Sequence, residues 1–253
     1  MGRIKYNTIK NPSSMRKLAL GAWKKPSDPS VFVQIELNIS KLDIESKYFK
    51  PLFIKLISKV LHECPELNRI LIRNKFRKRK DNRIFIPTLL KNKRNLDLSG
   101  ITINNAYTYH INELKEIWDI EITKLRSNQN KPINRSRFIY QMMPNILVKP
   151  ITKLISFLHY TLNIPLSIVG LPDDPFGAIT VTFLDKFNIK YAHVPIYGFS
   201  RSGVLLSMGM PFKENNKRIV PITCTFDHRY FDGYEALKAY KKLIYYCNNP
   251  NLI

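Results

Sequence analysis

Alternation of apolar and polar side chains predicts most of the strands of this chain. Residues 31–38, VFVQIELN, and 177–184, GAITVTFL, place apolar side chains at every second position, as half-buried strands do. Residues 203–210 and 218–226 flank the turn-forming sequence KENNK and are predicted to form an antiparallel pair. Because proline has no backbone N–H, Pro221 predicts an edge or bulge position within the second of these strands.

Other stretches carry apolar residues at helical spacing, three and four positions apart. The predicted helices are a short one at 14–24 and amphipathic ones at 48–63, 113–126 and 234–247. A further strand is predicted at 100–110, GITINNAYTYH. Strands and helices in this order favour an α+β architecture built on a mixed, largely antiparallel sheet.

The densest basic run, RNKFRKRKDNR at 73–83, is predicted to lie at the tip of a hairpin formed by LNRILI before it and RIFIPTLL after it. One interpretation is a solvated loop tip, and the other is an electrostatic landing patch for an acidic partner. Phe76 is its single aromatic residue and no nucleic-acid motif accompanies it, so specific nucleic-acid binding is not expected.

The pattern breaks at 130–176, which contains six prolines and, at 154–172, a stretch of 19 uncharged residues. The uncharged stretch has the length of a membrane span, but its proline, glycine and polar residues disfavour a regular spanning helix. A buried or interfacial helical insertion is predicted instead. Because Arg135, Arg137, Lys149 and Lys153 flank the stretch, a position on an anionic membrane surface is the alternative.

The net charge of the chain is strongly positive, which allows several kinds of anionic partner. Lysine and arginine number 41 against 19 aspartates and glutamates, which gives a net charge of +22 in 253 residues. Such a field attracts nucleic acid, anionic lipid, an acidic carrier protein or a phosphorylated cofactor. The abundance of Lys, Asn and Ile also fits a compositionally biased genome. Apolar residues make up 44% of the chain, which excludes wholesale disorder.

The three cysteines, Cys64, Cys224 and Cys247, are far apart and have neither metal-ligand nor disulfide spacing. A reducing, cytoplasmic location is therefore expected, and no metal is expected. The first residues, MGRIKYNTIKNPSS, lack an apolar core region and do not predict a secretory signal.

One short motif carries candidate chemistry, the sequence TFDHRYFDG at 225–233. His228 lies where a predicted strand gives way to a predicted helix, and an imidazole titrating near neutral pH can act as a general base. Asp232 follows four residues later, and Gly233 permits a tight turn. By spacing alone, a structural histidine remains the commoner interpretation.

The wider stretch PITCTFDHRYFDGYEALKAYKKLIYYCNNP resembles the C-terminal signature of the dihydrolipoamide acyltransferases of 2-oxoacid dehydrogenase complexes, whose fold the chloramphenicol acetyltransferases share. Residues 13–43, the sequence HECPELN at 62–68 and residues 176–196 resemble further segments of that family, in the same order. The resemblance implies a two-layer sandwich and a single catalytic domain over 1–253, with an insertion at about 130–176.

The resemblance also implies roles for four residues. His228 resembles the general base, and Thr182 stands where the family places a hydroxyl that donates to the oxyanion. Asp232 and Arg16 resemble a structural ion pair that fixes the catalytic loop. The implied reaction is acyl transfer from a thioester without a metal, with coenzyme A or an acyl carrier protein as donor. The implied assembly is a homotrimer with the active site at a subunit boundary.

Two departures from the family bear on function. The family's lipoyl domain with its modifiable lysine has no counterpart in the sequence, so no lipoyl attachment is expected and a free-standing acyltransferase is predicted. In the family, an Asn and a Gly follow the strand that carries the oxyanion-donating hydroxyl. Phe183 and Asp185 replace them here, so a different acceptor, small or lipid-like, is expected. The alternative function is a catalytically silent trimeric scaffold that binds through its basic surface. The expected location is cytoplasmic or peripheral to the inner face of a membrane.

Overall fold

A computed structural model describes residue 14 and residues 28–42, 45–73, 75–91, 96–127, 129, 138–169, 173–197 and 200–253. The strands are β1 (Ser30–Asn38), β2 (Arg69–Ile72), β3 (Lys75–Lys78), β4 (Arg83–Lys91), β5 (Leu96–Asn104), β6 (Ile179–Phe183), β7 (Val204–Met208), β8 (Phe212–Glu214) and β9 (Lys217–Asp227). The longer helices are α1 (Phe49–Glu63), α2 (Ile111–Arg126), α3 (Asn145–Ser156) and α4 (Gly233–Asn248).

Seven strands form one mixed sheet in the order β1-β9-β7-β6-β4-β5, with β8 paired to β9. The pairs β4·β6 and β6·β7 are parallel, and the others are antiparallel. The predicted α+β class with a mixed, largely antiparallel sheet is confirmed. The chain connects the two parallel neighbours β4 and β6 through β5, α2 and the long segment that follows it, since a parallel pair needs a crossover.

The hydrophobic core lies between one face of this sheet and helices α1, α2 and α4. Because side chains alternate along the strands, the sheet contributes apolar residues to the core from one face. Among them are Leu37, Val181 and Ile222, each 2% exposed or less. Helix α1 supplies much of the rest, because Phe53, Ile54 and other apolar residues along it are buried. The predicted amphipathic helices at 48–63, 113–126 and 234–247 therefore form and pack as their patterns require.

The opposite face of the sheet is covered by the irregular segment 190–196, which crosses β9. Thr223 and Thr225 donate from their hydroxyls to the carbonyls of Ala192 and Val194 in this segment. The backbone at Lys190, where this segment begins, lies close to Gly209, since a Cβ added to Gly209 would lie 1.9 Å from the carbonyl oxygen of Lys190. A side chain at position 209 would therefore displace backbone.

Of the two positions predicted for Pro221, the sheet edge is wrong, because β9 lies between β1 and β7, and the bulge is confirmed. Three residues, 209–211, lie opposite 220 and 221 between the pairs Met208·Ile222 and Phe212·Ile219. On one side, β9 pairs with β7 up to Ile222 and with β8 from Ile219. Pro221 falls in the gap between these partners, and its carbonyl accepts from the N–H of Gly209 on that side. The missing N–H therefore faces a place where the ladder is already interrupted.

The predicted hairpin around the basic run is also wrong in its pairing. Strand β2 pairs with β3, which lies inside the run itself, and together they form a separate two-stranded sheet. The sequence RIFIPTLL instead belongs to β4, in the main sheet next to β5. All four residues of β3 are exposed, as expected for either interpretation of the run.

Residues 138–169, which we call the apolar arm, are helical over much of their length. They comprise a short helical stretch at 138–142, helix α3, the π-helix Phe157–Thr161 and the 3₁₀ turn Leu166–Val169. Over 138–167 Tyr160 is the single buried residue, so the buried alternative for this insertion is wrong, while the interfacial alternative stays a prediction. The predicted helical conformation is confirmed. No helix in the described part of the chain is both long and apolar enough to cross a membrane.

Candidate active site

His228 follows the last residue of β9 and presents its side chain to solvent from a firmly held turn. Its backbone N–H donates to the carbonyl of Pro29 at 2.9 Å, next to the start of β1. The N–H of Tyr230 closes the turn onto the carbonyl of Asp227, also at 2.9 Å. The ring lies 6.3 Å from that of Phe226. A fixed backbone with an exposed imidazole suits a residue whose side chain contacts a molecule that binds from solvent.

An ion pair between the two sequence neighbours of His228 holds the turn in shape. The carboxylate of Asp227, only 6% exposed, accepts from the backbone N–H, Nε and Nη2 of Arg229. The Nη2–Oδ2 distance is 2.6 Å. The hydrogen bond to this carboxylate raises the pKa of Arg229. Asp227 and Arg229 are therefore positioning residues for the imidazole.

The rest of the loop is anchored by packing and by an arginine. Tyr230 and Phe231 are buried, and Phe231 packs so closely on Gly203 that an added Cβ there would lie 2.9 Å from the ring. Arg69 donates to the carbonyl of Tyr230 at 3.0 Å and pairs with Glu235 in α4 at 2.9 Å. Burial raises the pKa of the Tyr230 hydroxyl. The loop between β9 and α4 is thus fixed at both ends.

Asp232 caps the N-terminus of α4. Its carboxylate accepts from the backbone N–H groups of Tyr234 at 3.0 Å and Glu235 at 3.2 Å, and Glu235 accepts in return from the N–H of Asp232. This is a capping box, and the negative charge also suits the positive end of the helix dipole. Arg16, the partner implied by the resemblance, lies outside the described residues, as does the predicted helix at 14–24 apart from Ser14.

Thr182 belongs to a line of polar side chains that crosses four adjacent strands on the sheet face opposite the helices. The register pairs Gln34 of β1 with Thr223 of β9, Thr223 with Ser207 of β7, and Ser207 with Thr182 of β6. We call these four residues the polar row. Thr182 is partly exposed, whereas Ser207 and Thr223 are each 1% exposed.

Ser207 is the unusual member of the polar row. Its buried hydroxyl has no hydrogen-bond partner among the described residues. Leaving a buried hydroxyl unpaired costs about 1–3 kcal/mol, so native structures seldom do so without a reason. The hydroxyls of Ser207 and Thr182 occupy directly paired positions in β7 and β6. This part of the sheet therefore offers one unused hydroxyl donor, that of Ser207, beside the predicted oxyanion residue.

Within one copy of the chain His228 and Thr182 do not meet. Thr182 aligns with Thr223, two strands away, and His228 lies five residues after Thr223, just past the end of β9. With strands spaced about 4.8 Å apart and a rise of about 3.3 Å per residue, their α-carbons are roughly 15–20 Å apart. A reaction that uses both side chains needs the histidine of one copy and the threonine of another.

Other groups of catalytic type have structural partners. Nε2 of His193 accepts from the side-chain amide nitrogen of Gln34 at 2.9 Å, and its ring packs edge-on to Phe32, in keeping with its predicted structural role. Cys64 and Cys247 are buried, and burial raises the pKa of Cys247 to about 12, so neither thiol is a ready nucleophile. No group of His, Cys, Asp and Glu side chains among the described residues has the arrangement of a metal site.

A cavity of about 670 Å³ lies between α1 and α4, in the helix layer. It is lined by four lysines, of which Lys238 and Lys242 pair with Glu66 and Glu63. The polar row is on the other face of the sheet, so this cavity is not part of the predicted catalytic arrangement.

Solved structures similar to this one include a dihydrolipoamide acetyltransferase and a chloramphenicol acetyltransferase. The cubic core of the pyruvate dehydrogenase multienzyme complex is 15% identical, with a TM-score of 0.61 over 99% of this chain and 97% of that one. The dihydrolipoamide acetyltransferase of Azotobacter vinelandii is 15% identical, with a TM-score of 0.59 over 99% and 97%. A chloramphenicol acetyltransferase is 14% identical, with a TM-score of 0.50 over 87% and 89%.

No protein-family model and no curated protein sequence matches the chain. The structural comparisons nevertheless establish the fold: the chain has the fold of the dihydrolipoamide acyltransferase cores and of chloramphenicol acetyltransferase, as the C-terminal resemblance predicts.

Sequence reasoning missed the supporting residues of this site. Asp227 and Arg229 stand in the quoted motif, but only coordinates show that their side chains clamp the turn around His228. Ser207 and Thr223 were detectable as polar residues on the same face of alternating strands. Their alignment with Thr182 depends on strand order, which the pattern of one sequence does not give.

Proposed function

We propose that this protein is a free-standing acyltransferase that moves an acyl group from a thioester donor to a small or lipid-like nucleophile. The observation that carries the proposal is the exposed imidazole of His228 on a turn held by Pro29, Asp227 and Arg229. The turn occurs in a fold that a dihydrolipoamide acetyltransferase and a chloramphenicol acetyltransferase share. One of those structures was determined to study a serine and a histidine in the catalytic mechanism of its enzyme.

In the proposed mechanism His228 is the general base and Thr182 the oxyanion donor. The imidazole takes the proton of the acceptor's hydroxyl, thiol or amine as that group attacks the thioester carbonyl. The Thr182 hydroxyl donates to the oxygen of the tetrahedral intermediate, a contribution of about 3–4 kcal/mol for one such donor. The carbon–sulfur bond then breaks, and the imidazolium returns the proton to the leaving thiolate.

The separation of the two residues within one chain supports an oligomeric active site. A homotrimer, in which His228 of one protomer faces Thr182 of the next, accommodates both roles. One solved relative of this fold is itself the core of a multienzyme complex. The edge strand β1, which ends the sheet beside the His228 turn, exposes Phe32 by 49% and Val33 by 39%, apolar surface suited to a protomer contact.

The proposed donor is acyl-coenzyme A or an acylated, acidic carrier protein. The net charge of +22 favours both, since one carries phosphates and the other carboxylates. Lipoyl attachment is not part of the proposal. The Asp232–Arg16 ion pair remains a prediction, because the described contacts of Asp232 are its cap to α4.

The test is acceptor-dependent release of free coenzyme A from acetyl-coenzyme A, measured with a thiol reagent on the native protein supplied with small alcohols and amines as acceptors. His228→Ala should lower the turnover number by roughly 10²–10⁴, the usual contribution of a general base. Thr182→Val should lower it by roughly 10²–10³, as expected for loss of one oxyanion donor. The unfolding temperature of both variants should stay near that of the wild type, because both side chains reach solvent.

Matched controls are His193→Ala, a second exposed histidine, and Thr180→Val, two positions earlier on the same strand and face. Both should retain turnover. Full activity of the His228 variant would remove the proposed mechanism. Absence of turnover together with no thermal stabilisation by coenzyme A would favour the scaffold function, since a ligand that binds the native state raises the unfolding temperature.

A further inference from the structure

The apolar arm exposes more hydrophobic surface than any other part of the described chain. Of the 24 large hydrophobic side chains that are exposed among the described residues, ten lie between residues 138 and 167. Soluble proteins rarely leave a contiguous apolar surface uncovered unless something binds there. The most exposed or most central of these side chains are Phe138 (63%), Met142 (70%), Ile146 (83%), Leu147 (44%), Leu154 (54%) and Phe157 (49%).

The charge of this region has one sign only. The sequence contains no aspartate or glutamate between Glu121 and Asp173, whereas seven lysines and arginines lie in that interval. Within the described arm the charged side chains are Lys149 and Lys153, both exposed. A surface that is apolar, basic and free of acidic groups complements a surface that is apolar beneath an anionic layer.

Helix α3 arranges these features by angle. At 100° per residue, Val148, Ile151 and Ile155 share one side and are partly buried. Ile146, Leu147, Pro150 and Leu154 form the adjoining side and are exposed. Lys149 and Lys153 follow next to Ile146 along the rim. An exposed apolar stripe bordered by lysines is the arrangement in which the lysine heads can reach a headgroup layer while the apolar side chains enter the lipid.

The apolar arm is attached at defined points to the rest of the described chain, which we call the body. Arg73 donates from its backbone N–H to the carbonyl of Tyr160 at 3.0 Å and from Nη2 to that of Leu162 at 3.0 Å. Arg201 lies over the ring of Tyr160 at 5.0 Å. The carboxylate of Asp173 accepts from the N–H of Ser167 at 3.1 Å. The exposed stripe therefore belongs to a segment held at its base, which the body can present to a flat surface.

From these observations we propose that the apolar arm docks the protein on an anionic lipid bilayer. The stripe of α3 and the aromatic and aliphatic side chains of 138–142 enter the headgroup and upper acyl region, and Lys149 and Lys153 contact lipid phosphates. The proposal does not depend on the acyltransfer chemistry, since none of these residues belongs to the His228 turn or the polar row.

The direct test is co-sedimentation with vesicles. The wild-type protein should bind vesicles that mix phosphatidylglycerol with phosphatidylcholine, and bind pure phosphatidylcholine far more weakly. Each lysine near an anionic surface contributes about fivefold in affinity, so the double variant Lys149→Ala, Lys153→Ala should bind roughly 10- to 30-fold more weakly. Ile146→Ser with Leu154→Ser should lose roughly tenfold or more, through lost burial of apolar surface.

Matched controls keep the changes but move them. Lys213→Ala with Lys217→Ala removes the same charge from the exposed β8–β9 hairpin, outside the arm. Ile120→Ser removes an apolar side chain that is 51% exposed on α2. Both controls should bind anionic vesicles within twofold of the wild type. Circular dichroism melting checks that every variant remains folded.

Three outcomes would overturn the proposal. Equal losses in the hairpin and arm variants would mean that net charge alone attracts the protein to lipid. No binding of the wild type to anionic vesicles would exclude the bilayer. A lower oligomeric mass for the Ile146 and Leu154 variant in lipid-free solution would mean that a second copy of the chain covers the arm. Turnover of a soluble thioester without vesicles reports separately on the proposed function and should be the same in all arm variants.

Discussion

The C-terminal block of strands β7 to β9 with α4 and the apolar arm are both rich in hydrophobic residues, yet they use them in opposite ways. The block turns Val204, Met208 and Phe226 toward the shared core, each 6% exposed or less. The arm leaves Ile146 and Met142 exposed by 83% and 70%. Hydrophobic content therefore does not identify the core of this protein, whereas the period of the pattern does.

The difference follows from geometry. In the block, alternation assigns every second residue to a single buried face, and the helix α4 adds one apolar stripe. In α3 the apolar residues cover more than half of the circumference, and only part of that arc is even partly buried. The remaining surface has no partner among the described residues. The two regions should also differ in what they contribute to the stability of the fold.

The largest effect is expected at the base of the arm, where Arg79 holds several segments together. Its side chain, 5% exposed, pairs with Asp174 at 2.6 Å and also donates to the carbonyls of Arg69 and Arg201. Arg79→Ala leaves a partly buried carboxylate unpaired and should lower the free energy of unfolding by about 3–5 kcal/mol. Urea denaturation measures this change.

The control for Arg79 is Lys153→Ala, which removes a cation from the exposed part of the arm and should change stability by less than about 0.5 kcal/mol. If both substitutions change the free energy of unfolding by little, the contacts of Arg79 do not contribute to the stability of the core. The base of the arm would then resemble the exposed arm rather than the C-terminal block.

A direct comparison of the regions substitutes the same residue type in each. Ile222 in β9 is 2% exposed and pairs with Met208, whereas Ile146 is 83% exposed. Ile222→Ala should cost about 3 kcal/mol, from lost burial and the cavity left behind. Ile146→Ala should cost less than about 0.5 kcal/mol. Similar costs at both positions, measured by urea denaturation, would show that the arm packs against the body in solution.

The smallest effect is expected at Asp232, within the C-terminal block. Asp232→Ala removes the cap of α4 and should cost about 1 kcal/mol. Asp232→Asn keeps an oxygen acceptor for the N–H groups of Tyr234 and Glu235, so it should cost clearly less. Thermal unfolding distinguishes the two variants. An asparagine variant as unstable as the alanine variant would indicate that charge is required, as the implied ion pair with Arg16 would demand.

Much of the fold was predictable because the amphipathic patterns are long and agree with their environment. The strand at 31–38 and the helices at 48–63 and 234–247 form within one residue of their predicted bounds. Pairing was less predictable, since β4 joins β5 and β6 rather than β2, and no local pattern encodes that choice. The bulge at Pro221 was predictable from the missing N–H of proline, whereas the place of its strand between two neighbours was not.

The candidate site was predictable only in part. The family resemblance selects His228 and Thr182, but the sequence does not show that they lie two strands and several residues apart in one chain. Nor does it show that Asp227 and Arg229 clamp the turn, since a charged pair two residues apart is usually solvated. The exposure of the arm depends on which surfaces the body has left to cover it, a tertiary property.

The separation of His228 from Thr182 has a consequence for mixtures of inactive chains. If each catalytic centre borrows its base from one chain and its hydroxyl donor from the next, His228→Ala and Thr182→Val chains can rescue one another. Random co-assembly in equal amounts would restore about a quarter of the centres, because each requires one intact contribution from each neighbour. Two preparations that are silent alone would become active after they are unfolded and refolded together.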